Sequence, residues 1–176
     1  MKTLVAAALV SLFSSALGCQ SSRPHATPHD DAARKPLFDA VKSLEGSWEM
    51  VGEDGTKGVT EFRVTSAGSV VREVMFPGGD HEMTNMYHLD GNALVLTHYC
   101  AMGNQPRMRA EKRDGDRLLF RSDSVGDLAP GQGYMGEMTL ELVDRDHMAQ
   151  TWRFFEADGG SHETRFAFSR TSVAAR

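Results

Sequence analysis

Five residues of this chain are the best candidates for a chemical or binding role. They are His81, His98, Cys100, Tyr87 and Glu73. A cysteine beside a histidine can form a nucleophile pair, and two histidines with a carboxylate can hold a metal ion. The same set can also form a buried hydrogen-bond network or recognise a ligand. The sequence contains no Cys-x-x-Cys, His-Glu-x-x-His or Gly-x-Ser-x-Gly motif and no phosphate-binding glycine loop. It therefore favours a network or a binding site over catalysis.

From Gly46 onward, short runs of alternating apolar and polar residues are separated by turn signals, the clearest being Asp54-Gly55, Asp90-Gly91, Asp114-Gly115 and Asp158-Gly159. This pattern predicts ten strands, near residues 47–53, 57–65, 69–76, 80–89, 92–101, 107–113, 116–123, 134–144, 147–157 and 161–171. Tight turns make consecutive strands antiparallel, and closure leaves no edge unpaired. We predict an all-β fold, a single up-and-down antiparallel β-barrel. A sandwich, the alternative, usually needs longer crossovers.

A short helix is predicted just before the barrel. Leu37, Val41 and Leu44 recur at helical spacing behind Pro36, a residue that suits the first turn of a helix. We expect this N-terminal helix to plug one end of the barrel.

The Asp90-Gly91 turn also predicts a register for the two strands that flank it. A two-residue turn would place the following pairs on one face: Leu89 with Asn92, Tyr87 with Leu94, Asn85 with Leu96, Met83 with His98, and His81 with Cys100. This face carries Met83, Tyr87, Leu89, Leu94 and Leu96, so we predict that it is interior. It then also includes a polar wall formed by His81, Asn85, His98 and Cys100. A turn one residue longer would direct His81 and Asn85 outward.

Alternation in the other strands predicts an apolar, aromatic and methionine-rich interior. The expected inward positions are Phe62, Val64, Leu118, Phe120, Met138, Leu140, Leu142, Met148, Gln150, Trp152, Phe154, Phe166, Phe168 and Arg170. Such a lining suits an adaptable pocket or a solid core. The segments Ala101–Pro106 and Asp127–Gly136 are expected to frame a barrel mouth. The predicted ligand-binding residues are His81, Asn85, Tyr87, His98, Cys100, Asn104, Gln105 and Trp152.

The N-terminal residues have the organisation of an export signal. Lys2 is followed by an apolar run from Leu4 to Phe13 and then by Ala16-Leu17-Gly18 and Cys19. The last four residues resemble the lipobox of bacterial lipoproteins, which implies that Cys19 is acylated; ordinary signal cleavage nearby is the alternative. Gln20 is not the Asp that resembles an inner-membrane retention signal. The resemblance implies a cell-envelope location, at the outer membrane facing the periplasm in a Gram-negative organism.

These features divide the chain into three parts. Residues 1–18 are predicted to be a signal peptide, residues 19–36 a lipidated flexible tether, and residues 37–176 the barrel domain. The tether is assigned because Ser21 to Pro36 contains too few apolar residues to offset the entropy of ordering.

Composition excludes some partners. The net charge is −5 and no basic stripe is present, so we expect no nucleic-acid partner. The chain has two cysteines, and acylation of Cys19 would leave Cys100 without an intramolecular partner. The oligomeric state stays open.

Gly46-Ser47-Trp48 at the first strand and Arg170 on the last resemble the calycin and lipocalin arrangement. That resemblance implies that Trp48 fills one end of the barrel and that Arg170 packs across it. The stretch from His98-Tyr99-Cys100 to Gly103-Asn104-Gln105-Pro106-Arg107-Met108 resembles an uncharacterised group of small bacterial lipocalin-like lipoproteins, which implies a fold and no activity.

Three functional hypotheses remain. We favour an envelope lipoprotein that binds a small apolar or amphipathic molecule in the barrel, with the membrane as a second partner through Cys19, and with no cofactor, metal ion or catalytic residue. One alternative is a small barrel enzyme, or a metal or haem binder, that uses the His/Cys/Tyr wall. The other is a structural or adaptor lipoprotein without a small-molecule ligand.

Overall fold

The structure, a computed structural model, describes residues 26–171. Its elements are the helix α1 (Asp31–Lys42) and the strands β1 (Gly46–Gly52), β2 (Lys57–Thr65), β3 (Val70–Met75), β4 (Met83–Asp90), β5 (Ala93–Tyr99), β6 (Gln105–Ala110), β7 (Arg113–Asp114), β8 (Arg117–Gly126), β9 (Tyr134–Leu142), β10 (His147–Phe155) and β11 (Ser161–Arg170). A 3-10 turn at Ser66–Gly68 separates β2 from β3.

The strands form one closed antiparallel barrel. From β1 to β6 and from β8 to β11, each strand pairs with the next in sequence, β1 pairs with β11, and β6 pairs with β8. The two-residue β7 pairs with β8 alone, so it lies outside a closed ring of ten strands. The predicted fold is confirmed, because every strand of the ring has two neighbours and none is left as an open edge.

The barrel has two distinct ends. At the helix end, residues 43–45, 66–69, 91–92 and 143–146 connect successive elements, α1 contacts β4 and β5, and its buried side chains Leu37, Phe38 and Val41 join the core. At the loop end, residues 53–56, 76–82, 100–104, 127–133 and 156–160 connect the strands. No helix within residues 26–171 is long and apolar enough to cross a membrane.

The helix begins at Asp31, so the prediction that it follows Pro36 is wrong. Asp30 is the N-cap, and its Oδ1 accepts a hydrogen bond of 2.9 Å from the amide of Ala32. Asp31 then pairs with Lys35 at 3.0 Å. Capping and ion pairing start the helix early, and Pro36 lies inside it. The predicted tether therefore loses residues 31–36; the part before residue 26, like the predicted signal peptide and Cys19, lies outside the described residues.

Trp48 and Arg170 meet at the helix end. The indole of Trp48 is fully buried and donates to the carbonyl of Leu44 at 2.8 Å. The Arg170 guanidinium lies 4.1 Å from the centre of that ring and donates to the carbonyls of Ser43 and Glu45 at 3.0 and 2.8 Å. Through these contacts, the last strand, β11, is bonded to the connection between α1 and β1.

The β4–β5 register differs from the predicted one by two residues. Asp90 pairs with Ala93, and Gly91-Asn92 forms the turn because Gly91 takes a positive φ of 58° that glycine tolerates. Asn85 therefore lies opposite His98. Since side chains alternate with a period of two, a shift of two leaves the same residues facing inward.

The interior of the helix half is filled by side chains. Of the predicted inward positions, nine are buried and Val64, Leu142, Phe154, Phe166 and Arg170 are half-buried; the nine are Phe62, Leu118, Phe120, Met138, Leu140, Met148, Gln150, Trp152 and Phe168. Two concavities of the described chain lie on the outside of the barrel. One, of about 860 Å³, is lined by β6, β8 and β9 residues such as Arg109, Leu119 and Thr139, and the other, of about 250 Å³, lies beside Val51.

Candidate functional site

A single carboxylate, Glu73, is the centre of the polar wall. It lies on β3, is fully buried, and accepts four hydrogen bonds. Its Oε1 accepts from Thr60 at 3.1 Å and from Gln150 at 2.8 Å. Its Oε2 accepts from Asn85 and Tyr87, both at 2.7 Å. Strand β2 thus directs one donor, β4 two donors and β10 one donor to the two carboxylate oxygens of Glu73 on β3.

Two amide side chains extend this network toward the loop end. Trp152 donates to Gln150 Oε1 at 2.9 Å, and Gln150 in turn donates to Glu73. His98 Nδ1 lies 2.7 Å from Asn85 Oδ1, while Asn85 Nδ2 donates to Glu73. The ring centres of His98 and Trp152 are 4.8 Å apart. In the Trp152–Gln150 branch and in the His98–Asn85 branch, each residue therefore donates to the next one toward Glu73.

Burial and hydrogen bonding act in opposite directions on Glu73. Desolvation raises the pKa of its carboxyl, and the four donated hydrogen bonds oppose that rise. Burial, together with the neighbouring carboxylate, raises the pKa of Tyr87 well above its usual value, so this hydroxyl remains a donor at neutral pH. The network is accordingly a set of neutral donors around one acidic group.

His98 has one ring nitrogen with a partner and one without. The side chain is 1% exposed, and its Nε2 is buried without a hydrogen-bond partner in the described residues. Because Asn85 presents its oxygen to Nδ1, the proton of the neutral ring lies on Nδ1 and Nε2 carries the lone pair. Burial lowers the pKa of His98 to about 4, so the ring is neutral at physiological pH.

Asn104 supplies a second buried atom without a partner among residues 26–171. Its Nδ2 donates to the carbonyl of Gly133 at 3.1 Å, which joins the loop before β6 to the loop before β9. Its Oδ1 is buried and has no partner in the described chain. Asn104 also accepts, through its backbone carbonyl, from the amide of Cys100 at 3.1 Å. Asn104 therefore lies across the β5–β6 loop from Cys100.

The structure brings together only part of the predicted site. Asn85, Tyr87, His98 and Trp152 join one network, with Glu73 at its centre. His81 is exposed in the loop before β4, which starts at Met83 instead of near residue 80.

Two further predicted residues also lie outside the network. Cys100 is partly exposed beyond the end of β5, and its thiol has no pair within the described chain. Gln105 is partly exposed, and its side chain bonds to the carbonyl of Gly103 at 2.7 Å. His81, Cys100 and Gln105 all lie at the loop end; His81 and Cys100 are outside the strands, and Gln105 is the first residue of β6.

Thr60 and Gln150 were not predicted as site residues. Both could have been found from alternation, because Thr60 lies two residues before the inward Phe62 and Gln150 was already expected to face inward. Among the described residues, no three His, Cys, Asp or Glu side chains come close enough together to hold a metal ion.

Three large hydrophobic side chains are exposed on the rim of the loop end, among charged and polar loop residues. Tyr99, Met102 and Leu128 are 49%, 46% and 40% exposed, although each is a large hydrophobic residue. The loops that carry Met102 and Leu128 are joined, because Gln132 donates to the carbonyl of Met102 at 2.8 Å. Below this rim, Met83, Met135 and Phe154 are half-buried on inward-facing strand positions.

Of three solved structures that are similar to this chain, the one with a TM-score above 0.5 supports the fold. Rv2717c from M. tuberculosis is similar over 78% of this chain and 98% of its own, with 16% identity and a TM-score of 0.56. A protein of unknown function from the DUF3598 family of Nostoc punctiforme aligns with 74% of this chain at 12% identity and a TM-score of 0.49, and this chain spans about half of its length. A designed barrel bound to DFHBI has 13% identity and a TM-score of 0.39, with 77% and 99% of the two chains covered.

At these identities, the similarity concerns the fold alone. The closed barrel of ten strands fits a calycin-like fold. No protein-family model matches the chain, and no curated protein matches it.

Proposed function

We propose that this protein binds a small amphipathic molecule at the loop end of the barrel, with His98 Nε2 as a polar contact. The observation that carries the proposal is that Nε2 is buried and has no hydrogen-bond partner within residues 26–171, at the end of a network whose other buried side-chain atoms are bonded. Leaving a buried polar atom unpaired costs about 1 to 3 kcal/mol, a cost that a bound ligand removes.

The surroundings of His98 suit recognition. The ring is held by the hydrogen bond to Asn85 on one side and by the indole of Trp152 on the other, so Nε2 keeps one orientation. A preorganised contact loses little entropy when a ligand binds. The apolar part of the ligand would contact Met83, Met135 and Phe154, because methionine side chains adapt to guests of irregular shape.

The ligand would enter from the loop end. The helix half is occupied by buried side chains such as Trp48, Phe120 and Met138. By contrast, Met83, Met135 and Phe154 near the loop end are only half-buried, and Met102 and Leu128 in the adjoining loops are exposed. Binding would displace these side chains without disturbing the core of the helix half.

We also propose that the chain is an envelope lipoprotein anchored through Cys19. The first described residues lie at the helix end, where the amide of Asp30 donates to Asn92 Oδ1 at 2.6 Å. A tether leaving from there would place the helix end toward the membrane and the loop end away from it. Such an orientation would keep the proposed binding site open to molecules in the surrounding compartment.

Native mass spectrometry of the full chain after incubation with a total envelope extract tests the binding role. We expect a retained small molecule on the wild-type chain and on a control, His147→Phe, in which an exposed histidine at the helix end is replaced. His98→Phe should lose that molecule, and its stability should fall by no more than about 1 to 3 kcal/mol, the loss expected from leaving the buried Asn85 Oδ1 without its donor. A large fall in stability for His98→Phe, with no molecule retained by any variant, would assign the network to the fold and contradict the proposal.

A second experiment tests the anchor. Wild-type chain expressed in a lipoprotein-processing bacterium should fractionate with membranes, and its mature N-terminal peptide should carry acyl chains on Cys19. Cys19→Ala should release the protein from the membrane fraction, because several acyl chains each bury many methylenes at about 0.8 kcal/mol apiece. An unmodified mature N-terminus in the wild-type chain would contradict the anchor and leave the barrel site unaffected.

A further inference from the structure

Two buried side-chain atoms lack a hydrogen-bond partner in residues 26–171, and both are acceptors. They are His98 Nε2 on β5 and Asn104 Oδ1 in the loop that follows it. We infer that the bound molecule presents a hydrogen-bond donor without negative charge, such as a hydroxyl or an N–H group, and that carboxylates and phosphates are rejected. This inference rests on the proposed function, because it names the chemical class of the ligand for the same site.

The acceptor character of His98 follows from the direction of its hydrogen-bond chain. Glu73 Oε2 receives a hydrogen bond from Asn85 Nδ2, which leaves the oxygen of the same amide for His98 Nδ1. An amide oxygen can only accept, so Nδ1 is the donor and carries the proton of the neutral ring. The buried carboxylate thereby determines that the distant nitrogen offers a lone pair.

The amide of Asn104 is oriented in a similar way. Its nitrogen donates to the carbonyl of Gly133, so its oxygen is the atom that remains free. His98 is the penultimate residue of β5, and Asn104 directly precedes β6. The two free acceptors therefore belong to one hairpin at the loop end.

The charge of the interior reinforces this selection. The buried polar side chains of the described residues are Thr60, Glu73, Asn85, His98, Asn104 and Gln150. None of these is a lysine or an arginine, and Arg170 lies at the opposite end over Trp48. An anionic group at His98 would meet lone pairs and the Glu73 network with no cation to compensate its desolvation.

Three probes that share one alkyl tail test whether the site prefers a hydrogen-bond donor, an acceptor or an anion. Octanol offers a hydroxyl donor, methyl octyl ether offers an acceptor alone, and octanoate offers an anion at neutral pH. Binding to the full chain is measured by calorimetry, with nitrogen-15 NMR of the histidine rings as a second readout. We expect octanol to bind about tenfold more tightly than the ether, as one buried hydrogen bond implies, and octanoate to bind most weakly.

The variants locate the effect at His98. His98→Phe should bind octanol and the ether equally, and the control His147→Phe, at the exposed helix end, should keep the tenfold preference. Octanol should shift the signal of an acceptor-type Nε2 in the wild-type chain. Tighter binding of octanoate that depends on His98, or an Nε2 that carries the proton, would overturn the donor inference while the binding site stands. Binding of none of the probes would instead contradict the proposed function itself.

Discussion

His98 should make the stability of this protein depend on pH in a defined window. Burial lowers its pKa from 6.5 to about 4 in the folded chain. Between these values the unfolded chain binds a proton that the folded chain does not, so stability falls as the pH decreases. The stability that comes from keeping the ring neutral is fully present above about pH 6.5 and is lost as the pH falls toward 4.

The size of the effect follows from the two pKa values. Relative to pH 7.5, the contribution of His98 to the free energy of unfolding should decrease by about 2 kcal/mol at pH 5 and by about 3 kcal/mol at pH 4. Glu73 has a raised pKa and acts in the opposite direction, since a carboxyl with a raised pKa stabilises the fold as the pH falls. A comparison of variants is therefore needed to separate the contribution of His98 to the pH dependence of stability from that of Glu73.

Urea denaturation at several pH values between 7.5 and 4 provides that comparison. We expect His98→Gln to show a weaker loss of stability with acid than the wild-type chain, by about 2 kcal/mol at pH 5. The control His162→Gln, at an exposed site, should follow the wild-type curve. Parallel curves for wild type and His98→Gln would refute the reasoning, because they would show that the ring at position 98 is free to take up a proton in the fold.

Two further substitutions test contacts at the two ends of the barrel. Arg170→Met should lower the free energy of unfolding by about 2 to 4 kcal/mol in chemical denaturation, because it removes the cation over Trp48 and the bonds to Ser43 and Glu45. Arg117→Met, which breaks an exposed pair with Glu141, should cost about 0.5 kcal/mol or less, and equal losses would contradict the role of Arg170. At the loop end, Gly133→Ala should destabilise the barrel by about 1 to 3 kcal/mol, because the new methyl would lie 2.6 Å from the carbonyl oxygen of Phe155. In Gly126→Ala the new methyl meets the flexible side chain of Gln105 at 3.2 Å and the backbone oxygen of Gln105 at an ordinary 3.6 Å, so this variant should unfold at nearly the wild-type denaturant concentration, and a similar shift for both would contradict this reasoning.

Strand number and side-chain facing could be predicted because both depend on local patterns. Alternation assigns inward positions strand by strand, and the Asp-Gly turns mark where strands end. The facing of Asn85, Tyr87 and His98 was predicted even though the β4–β5 register was not. Helix onset was not predicted, since the cap of Asp30 and the ion pairs of Asp31 outweigh the signal of Pro36.

The sequence by itself determined that the chain forms an antiparallel barrel, which residues face its interior, and that Trp48 and Arg170 occupy its first and last strands. Only the tertiary structure decided which polar residues bond to one another. Thr60, Glu73 and Gln150 are far apart in sequence, and their contact depends on how ten strands tilt and close. The tertiary structure also places His81 outside the network and leaves His98 Nε2 without a partner in the described chain. Loop conformation and the orientation of the amide side chains depend on packing throughout the barrel, and local sequence patterns do not determine them.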